Sequence, residues 1–342
     1  MAFDPLERRS VGRTGLTVTR LSLGGASIGG LFRRVDQDDA VRVVRHAWEL
    51  GIRFFDTAPL YGYGESERRL GRALADRSRD TFVLSTKVGR LIFPADALPG
   101  GADVDRQAIG STEDAFYHRT EPVRVVFDYS YDGVLRSIEA SLVRLGLDRI
   151  DIALIHDPDD HWEAAISGAY RALDRLRSEG VLRAIGAGMN QAPMLARFAR
   201  ETDVDVLLMA NRYTLLNQEA IQELLPACAQ RGISVLVGGV MNSGILVDPS
   251  PAGRFDYAPA PPDMVDRARR LAAVCARHGV ELRTAAIQFP LAHPAVTSLV
   301  AGVRSIEHLD EYPRAMAVDL PAALWADLRA EGLLRPAAPV PS

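Results

Sequence analysis

Cysteine is scarce: Cys228 and Cys275 are the only two in 342 residues. Neither lies in a CxxC or beside a histidine at ligand spacing, which excludes a disulfide framework and a zinc cluster as organising devices. Long apolar runs are missing as well. None approaches the ~18 residues of a membrane-spanning helix. The stretch Met1-Ala2-Phe3-Asp4-Pro5 has neither the basic region nor the apolar core of a secretory signal, so a cytoplasmic protein is expected. Strong charge of one sign is also lacking. The net charge is -4 and the arginines are dispersed, which gives no footprint for nucleic acid. What is present, 47% hydrophobic and 25% charged residues, is ordinary globular composition. The length suits two domains or one α/β barrel.

Short apolar runs alternate with helical patterns along the chain. The runs lie near residues 21, 53, 82, 150, 184, 206, 233 and 297, each followed by a helical pattern. Asp36 or Asp38 caps a helix reaching Leu50, where Gly51 stops it. Ser130 caps one over residues 131–145. Further helices are expected at 65–75, 163–179, 192–201, 218–230, 264–278, 282–289, 305–316 and 320–333. Residues 12–19 read as a hairpin turning at Thr14-Gly15. Segments 91–127 and 240–261 read as long loops, and 336–342 as a frayed tail. The runs are rich in Val, Ile and Leu, as in strands buried on both faces. Eight such units predict an α/β fold, a closed (β/α)8 TIM barrel with an N-terminal β-hairpin and long catalytic-face loops. One domain is expected across residues 1–342, with its core at about 10–316. An open doubly wound sheet would want a glycine fingerprint. Gly186-Ala187-Gly188 follows a strand, but Gln191 takes the third position and no acid ends the next strand.

In a barrel the strand C-termini gather on one face. Asp56 and Tyr61 follow the second run, Lys87 ends the third and His156 the fourth. Adjacent strands lie ~4.8 Å apart, so these four groups are expected to converge. Each has a bland reading alone: a strand-end cap, a half-buried ring, a solvated lysine, a loop-capping histidine. Four together on successive strand ends argue for a site. Their chemistry suits hydride transfer at a carbonyl or alcohol carbon. A phenol ordinarily titrates near ~10, and a neighbouring ammonium is expected to favour its phenolate. Asp56 would hold Lys87, and His156 would orient the reacting oxygen. A metal at Asp56 and His156 is disfavoured because Lys87 would repel it.

The segments Phe55-Asp56-Thr57-Ala58-Pro59-Leu60-Tyr61-Gly62, Gly64, Ser66-Glu67 and Ser85-Thr86-Lys87 resemble the aldo-keto reductase superfamily, and the resemblance spans about residues 10–316. Further stretches, among them Ile155-His156-Asp157-Pro158-Asp159 and Gly239-Val240-Met241-Asn242-Ser243-Gly244, are similar to the aldose 1-dehydrogenase (L-fucose) branch, which also resembles pyridoxal 4-dehydrogenase. The resemblance implies Tyr61 as general acid/base, tuned by Lys87 and Asp56, with His156 orienting a small sugar or aldehyde. It implies NAD or NADP, leaning to NAD, held by Gly25, Asn190, Asn211, Gly238, Gly239, Gly302, Arg304, Ser305, His308 and Glu311. Phe93 and Asn242 would join Tyr61 and His156 on the substrate, with Phe116, Tyr117 and His118 in the loop that shapes the pocket. Several positions depart from the family's pattern. Met189 replaces a serine, Ala210 a glutamine and Gly238 an aromatic residue, while Gly302 and His308 align near the cations that relatives aim at a 2′-phosphate. General NADPH-dependent aldehyde reduction is a rival reading. A cofactor-sensing subunit is a rival of another class, and the complete tetrad argues against it.

Overall fold

The computed structural model describes residues 2–105, 117 and 122–341; Phe116 and His118 lie outside them. Fourteen strands are seen among these residues: β1 Arg8–Ser10, β2 Thr17–Thr19, β3 Leu21–Gly24, β4 Phe54–Asp56, β5 Val83–Val88, β6 Arg90–Pro94, β7 Val123–Phe127, β8 Ile152–His156, β9 Ala184–Met189, β10 Val206–Ala210, β11 Ser234–Gly238, β12 Arg254–Phe255, β13 Ala258–Pro259 and β14 Val296–Gly302. Eight of them close a parallel barrel in the order β3-β4-β5-β8-β9-β10-β11-β14. These are the eight expected runs, and the architecture is a (β/α)8 barrel.

Successive residues of a strand point to opposite faces, and the barrel strands follow that rule. Phe54, Val83, Ile152, Leu154, Val206, Leu208 and Leu236 fill the barrel interior. Phe55, Leu84, Ala153, Ile155, Leu207, Val235 and Val237 join the outer layer under the helices. Val11, Leu16 and Val18 complete the interior cluster from the N-terminal hairpin. That hairpin is the pair β1–β2. Its first arm lies before Gly12 rather than within 12–19, because residues 11–16 form a loop whose Val11 and Leu16 are buried. Ser234 Oγ ties it to the barrel, accepting from Gly12 N at 2.8 Å.

Local signals place most helix ends. Asp36 accepts from the N–H groups of Asp38 and Asp39 at the start of Gln37–Glu49, and Gly51 takes φ +91° after it. Ser130 accepts from Gly133 N at the start of Tyr131–Leu145. The helix expected over 218–230 is broken into Glu219–Ile221 and Leu224–Arg231. Pro226 lacks an N–H and collides with a helical carbonyl four residues back, so the second piece starts just before it. The 91–127 segment is not all loop, since β6 and β7 pair antiparallel within it. The C-terminal segment does not fray. Ala338 is 1% exposed, Arg329 Nη2 donates to its carbonyl at 2.8 Å, and Gln218 binds Leu333 O and Arg335 N. No described helix is long and apolar enough to cross a membrane.

Candidate functional site

The same alternation that fills the barrel aims the polar groups. Counting in steps of two from Phe54, Val83 and Ile152 reaches Asp56, Lys87 and His156, all inward-facing at the C-terminal mouth. Lys87 Nζ donates to Asp56 Oδ2 at 2.8 Å and to Thr57 O at 3.0 Å. The other carboxylate oxygen accepts from Ser85 Oγ at 2.6 Å. Both members of the pair are buried, Lys87 at 1% and Asp56 at 2% exposure. Gly188 makes room for the lysine: a Cβ there would sit 3.3 Å from Lys87 Cε.

Tyr61 arrives on the loop after β4. Its backbone leans on Gly29, where a Cβ would stand 2.8 Å from Tyr61 C. Thr57 Oγ1 and Ser66 Oγ meet at 2.8 Å, and Glu67 accepts from Thr86 Oγ1 and Arg144 Nε. The buried Ser66 and Glu67 therefore brace the loop. Lys87 Nζ lies 4.7 Å from the Tyr61 ring centroid. The His156 ring stands edge-on to that of Tyr61, centroids 5.8 Å apart. The fold thus brings all four groups together.

One expectation is reversed. Burial holds the Tyr61 phenol well above its ordinary range, and the Asp56 charge adds to this. Burial outweighs the neighbouring cations, and the Lys87 ammonium itself is directed at Asp56 and Thr57 O. Burial, with Arg90 and Lys87 nearby, holds His156 well below the usual imidazole range, so the ring is neutral at neutral pH. Its Nδ1 has no hydrogen-bond partner among the described residues.

A cavity of about 200 Å³ opens between Tyr61, Lys87, His156 and the facing wall of Met189, Asn190, Leu208 and Ala210. Tyr117 lines it, as expected for its loop, and Leu31, Arg90, Asp157 and Tyr257 line it without having been singled out in the sequence. The adjacency of Asp157 to His156 was a usable signal. Tyr257 carried none, since it reaches the site from the 240–261 loop at φ +66°. Two expected substrate contacts are elsewhere. Phe93 sits near the far end of β6 and lines a separate groove with Ile92, Pro94 and Val143. Asn242 is fully buried, accepting from Thr214 Oγ1 and donating to Asn211 O at 3.2 Å. It fastens the loop after β10 instead of facing the cavity. His161 is half-buried against Phe127, its Nε2 2.9 Å from Asp103 Oδ2.

The remaining strand ends form one continuous arc, β9-β10-β11-β14-β3. Asn190, Asn211, Gly238, Gly239, Gly302 and Gly25 follow those strands in turn. A Cβ at Gly302 would lie 3.2 Å from Ser27 Oγ, one at Gly239 would meet the Asn211 side chain at 2.3 Å, and one at Gly25 would meet Ser66 Oγ at 2.2 Å. Gly238 faces the small Ala210, with 3.9 Å between its would-be Cβ and that methyl. Ser305 caps helix Ile306–Met316, accepting from His308 N. Such a helix start suits phosphate. Arg304 is half-buried there, and burial together with nearby Arg33 holds it below its ordinary value. The Glu311 carboxylate is ion-paired with Arg283.

The aldo/keto reductase family model matches residues 20–331. The chain is 42% identical over 326 residues to a D-threo-aldose 1-dehydrogenase from Pseudomonas sp., covering 94% of this chain and 96% of that one. It is 41% identical over 345 residues to a pyridoxal 4-dehydrogenase from Microbacterium luteolum, covering 98% and 100%. Among solved structures, an aldo-keto reductase from Bacillus halodurans in its holo form superposes with a TM-score of 0.72 at 25% identity, covering 98% of both chains. The chain belongs to the aldo/keto reductase family.

Proposed function

We propose that this chain oxidises the anomeric hydroxyl of an aldose of the L-fucose or D-threo type to a lactone. The observation that carries the reading is the Asp56–Lys87 pair beneath Tyr61 and His156, at a cavity whose wall also holds Arg90, Asp157 and Asn190. A bound nicotinamide dinucleotide, NAD in preference to NADP, would supply the hydride acceptor. The glycine-lined arc from Asn190 round to Gly25 would hold it, with Arg304 and the start of helix Ile306–Met316 at its phosphates. The preference for NAD rests on Gly302 and His308, which align near the cations that relatives aim at a 2′-phosphate.

His156, neutral, orients the reacting oxygen. Tyr61 accepts the hydroxyl proton as the C1–H bond releases its hydride, and the C1–O bond becomes double. The raised phenol favours the protonated form, so the oxidative direction gains from higher pH and the reductive direction from lower pH. Support for the sugar comes from the 42% identity to an aldose dehydrogenase and from the polar side chains around the cavity. A second reading, pyridoxal oxidation, is favoured by the phenol rings of Tyr117 and Tyr257 on the cavity wall and by 41% identity to a pyridoxal dehydrogenase.

A turnover panel of L-fucose, D-arabinose, L-galactose, L-glucose and pyridoxal with NAD⁺ and NADP⁺ tests both. Reduction of cofactor with an aldose is the expected result; turnover of pyridoxal alone replaces the first reading with the second. Tyr61→Phe should abolish turnover and keep cofactor affinity. An active Tyr61→Phe enzyme sinks the proton-transfer assignment.

A further inference from the structure

Asp157 follows His156 in a backbone conformation that side-chain-bearing residues seldom adopt, with φ at +40°. Such a conformation persists where the surroundings over-determine it, and it concentrates at functional sites. Here three contacts hold it. The Asp157 N–H donates to Gly188 O at 3.1 Å. Its carbonyl accepts from Tyr129 Oη at 2.9 Å, and its carboxylate accepts from Arg90 Nη2 at 3.1 Å. Arg90 is in turn anchored by Nη1 on Asp105 Oδ2 at 2.7 Å. The result is a carboxylate that lines the cavity with Oδ2 only 3.5 Å from His156 Nε2.

The imidazole is neutral and carries one N–H. Nδ1 has no partner among the described residues, whereas Nε2 faces an anion. A lone pair at Nε2 would be repelled there, so the proton belongs on Nε2. The mouth of the barrel thus offers a donor and an acceptor on consecutive residues, 3.5 Å apart. A donor and an acceptor side by side can meet oxygens on neighbouring carbons of a pyranose, since a sugar hydroxyl can donate where a carbonyl cannot.

We propose that His156 and Asp157 read adjacent oxygens of the substrate, His156 the reacting anomeric oxygen and Asp157 the hydroxyl on the next carbon. Asp157 is then a specificity-determining residue, set in place by Arg90, Asp105 and Tyr129. The inference rests on the aldose reading given above. It predicts a preference for sugar over an aldehyde that has no donor at that place, because such a substrate leaves the half-buried carboxylate facing an unmatched group.

The test compares kcat/KM for an aldose and its 2-deoxy analogue, in the wild-type chain and in Asp157→Asn. A hydrogen bond to a charged group corresponds to roughly 10- to 150-fold, so the wild-type protein should prefer the parent sugar by that factor. In Asp157→Asn the preference should collapse towards one. Asparagine tolerates the left-handed region, and thermal unfolding with cofactor titration verifies that the variant is folded. The inference is overturned if the variant slows both sugars equally and keeps the preference. It is overturned equally if the wild-type protein oxidises aldoses without distinguishing the deoxy sugar, in which case the aldose reading survives. Oxidation of pyridoxal but of no aldose removes both.

Discussion

Replacing Lys87 by methionine should destabilise the protein far more than the net worth of the ion pair it belongs to. Replacing Asp56 as well should restore most of that stability without restoring turnover. The pair is buried and 2.8 Å apart. At an effective dielectric of ~20 its Coulomb attraction is on the order of 6 kcal/mol, offset by the desolvation of both charges. The net contribution of the intact pair is therefore small, while removing one partner strands the other. Lys87→Met leaves the Asp56 carboxylate with Ser85 Oγ as its side-chain donor, and a stranded buried charge costs about 3–5 kcal/mol. Against a total stability of about 5–15 kcal/mol, that is a large fraction. In the double variant Asp56→Asn, Lys87→Met, a neutral amide can still accept from Ser85. The cost should then fall to within about 2 kcal/mol of wild type. Urea unfolding followed by intrinsic fluorescence gives the three stabilities, and cofactor-linked turnover gives the activities. The reasoning is refuted if Lys87→Met stays within ~1 kcal/mol of wild type, or if the double variant is as unstable as the single.

The remaining predictions concern the phenol and the C-terminal segment. With Tyr61 held well above the ordinary phenol range, its base form is the minor species through neutral pH and grows tenfold per pH unit. The kcat/KM for oxidation should therefore rise with a slope near one from neutral to mildly alkaline pH, and a flat profile would exclude Tyr61 as the base. Gln218→Ala removes the donor to Leu333 O at 3.0 Å and the acceptor of Arg335 N at 2.7 Å. Leu333 O keeps Arg267 Nη2 at 2.6 Å, so the stranded group is Arg335 N, at a cost of about 1–3 kcal/mol. Limited proteolysis should then cleave at Arg335 well before any site in the barrel; simultaneous loss of barrel and tail would contradict this.

Why the converging groups were legible and their neighbours were not follows from how each is carried. Asp56, Lys87 and His156 sit on parallel strands whose period of two and common direction translate sequence position directly into place. Counting from an apolar inward residue is enough to aim each one. Asn242 and Tyr257 sit on a loop, where no such translation exists. Both lie in one 22-residue stretch, 240–261, yet one is sealed under Asn211 and Thr214 while the other lines the cavity. Those fates are decided by partners distant in sequence and by left-handed backbone at both residues. The same reasoning applies to the Tyr61 phenol. The presence of a lysine was readable, but the direction of its ammonium depends on Asp56 Oδ2 and Thr57 O, which exist as a pair of acceptors only once the barrel has closed. Ala210 and Gly238 belong to the legible half for a related reason. They end adjacent strands, β10 and β11, and β10 stands four strands from β4 on the opposite wall of the barrel. Small side chains there leave space on the wall facing Tyr61. On the proposed reading the nicotinamide would meet backbone and carboxamides there, so cofactor affinity should respond more to Asn190 and Asn211 than to any aromatic residue.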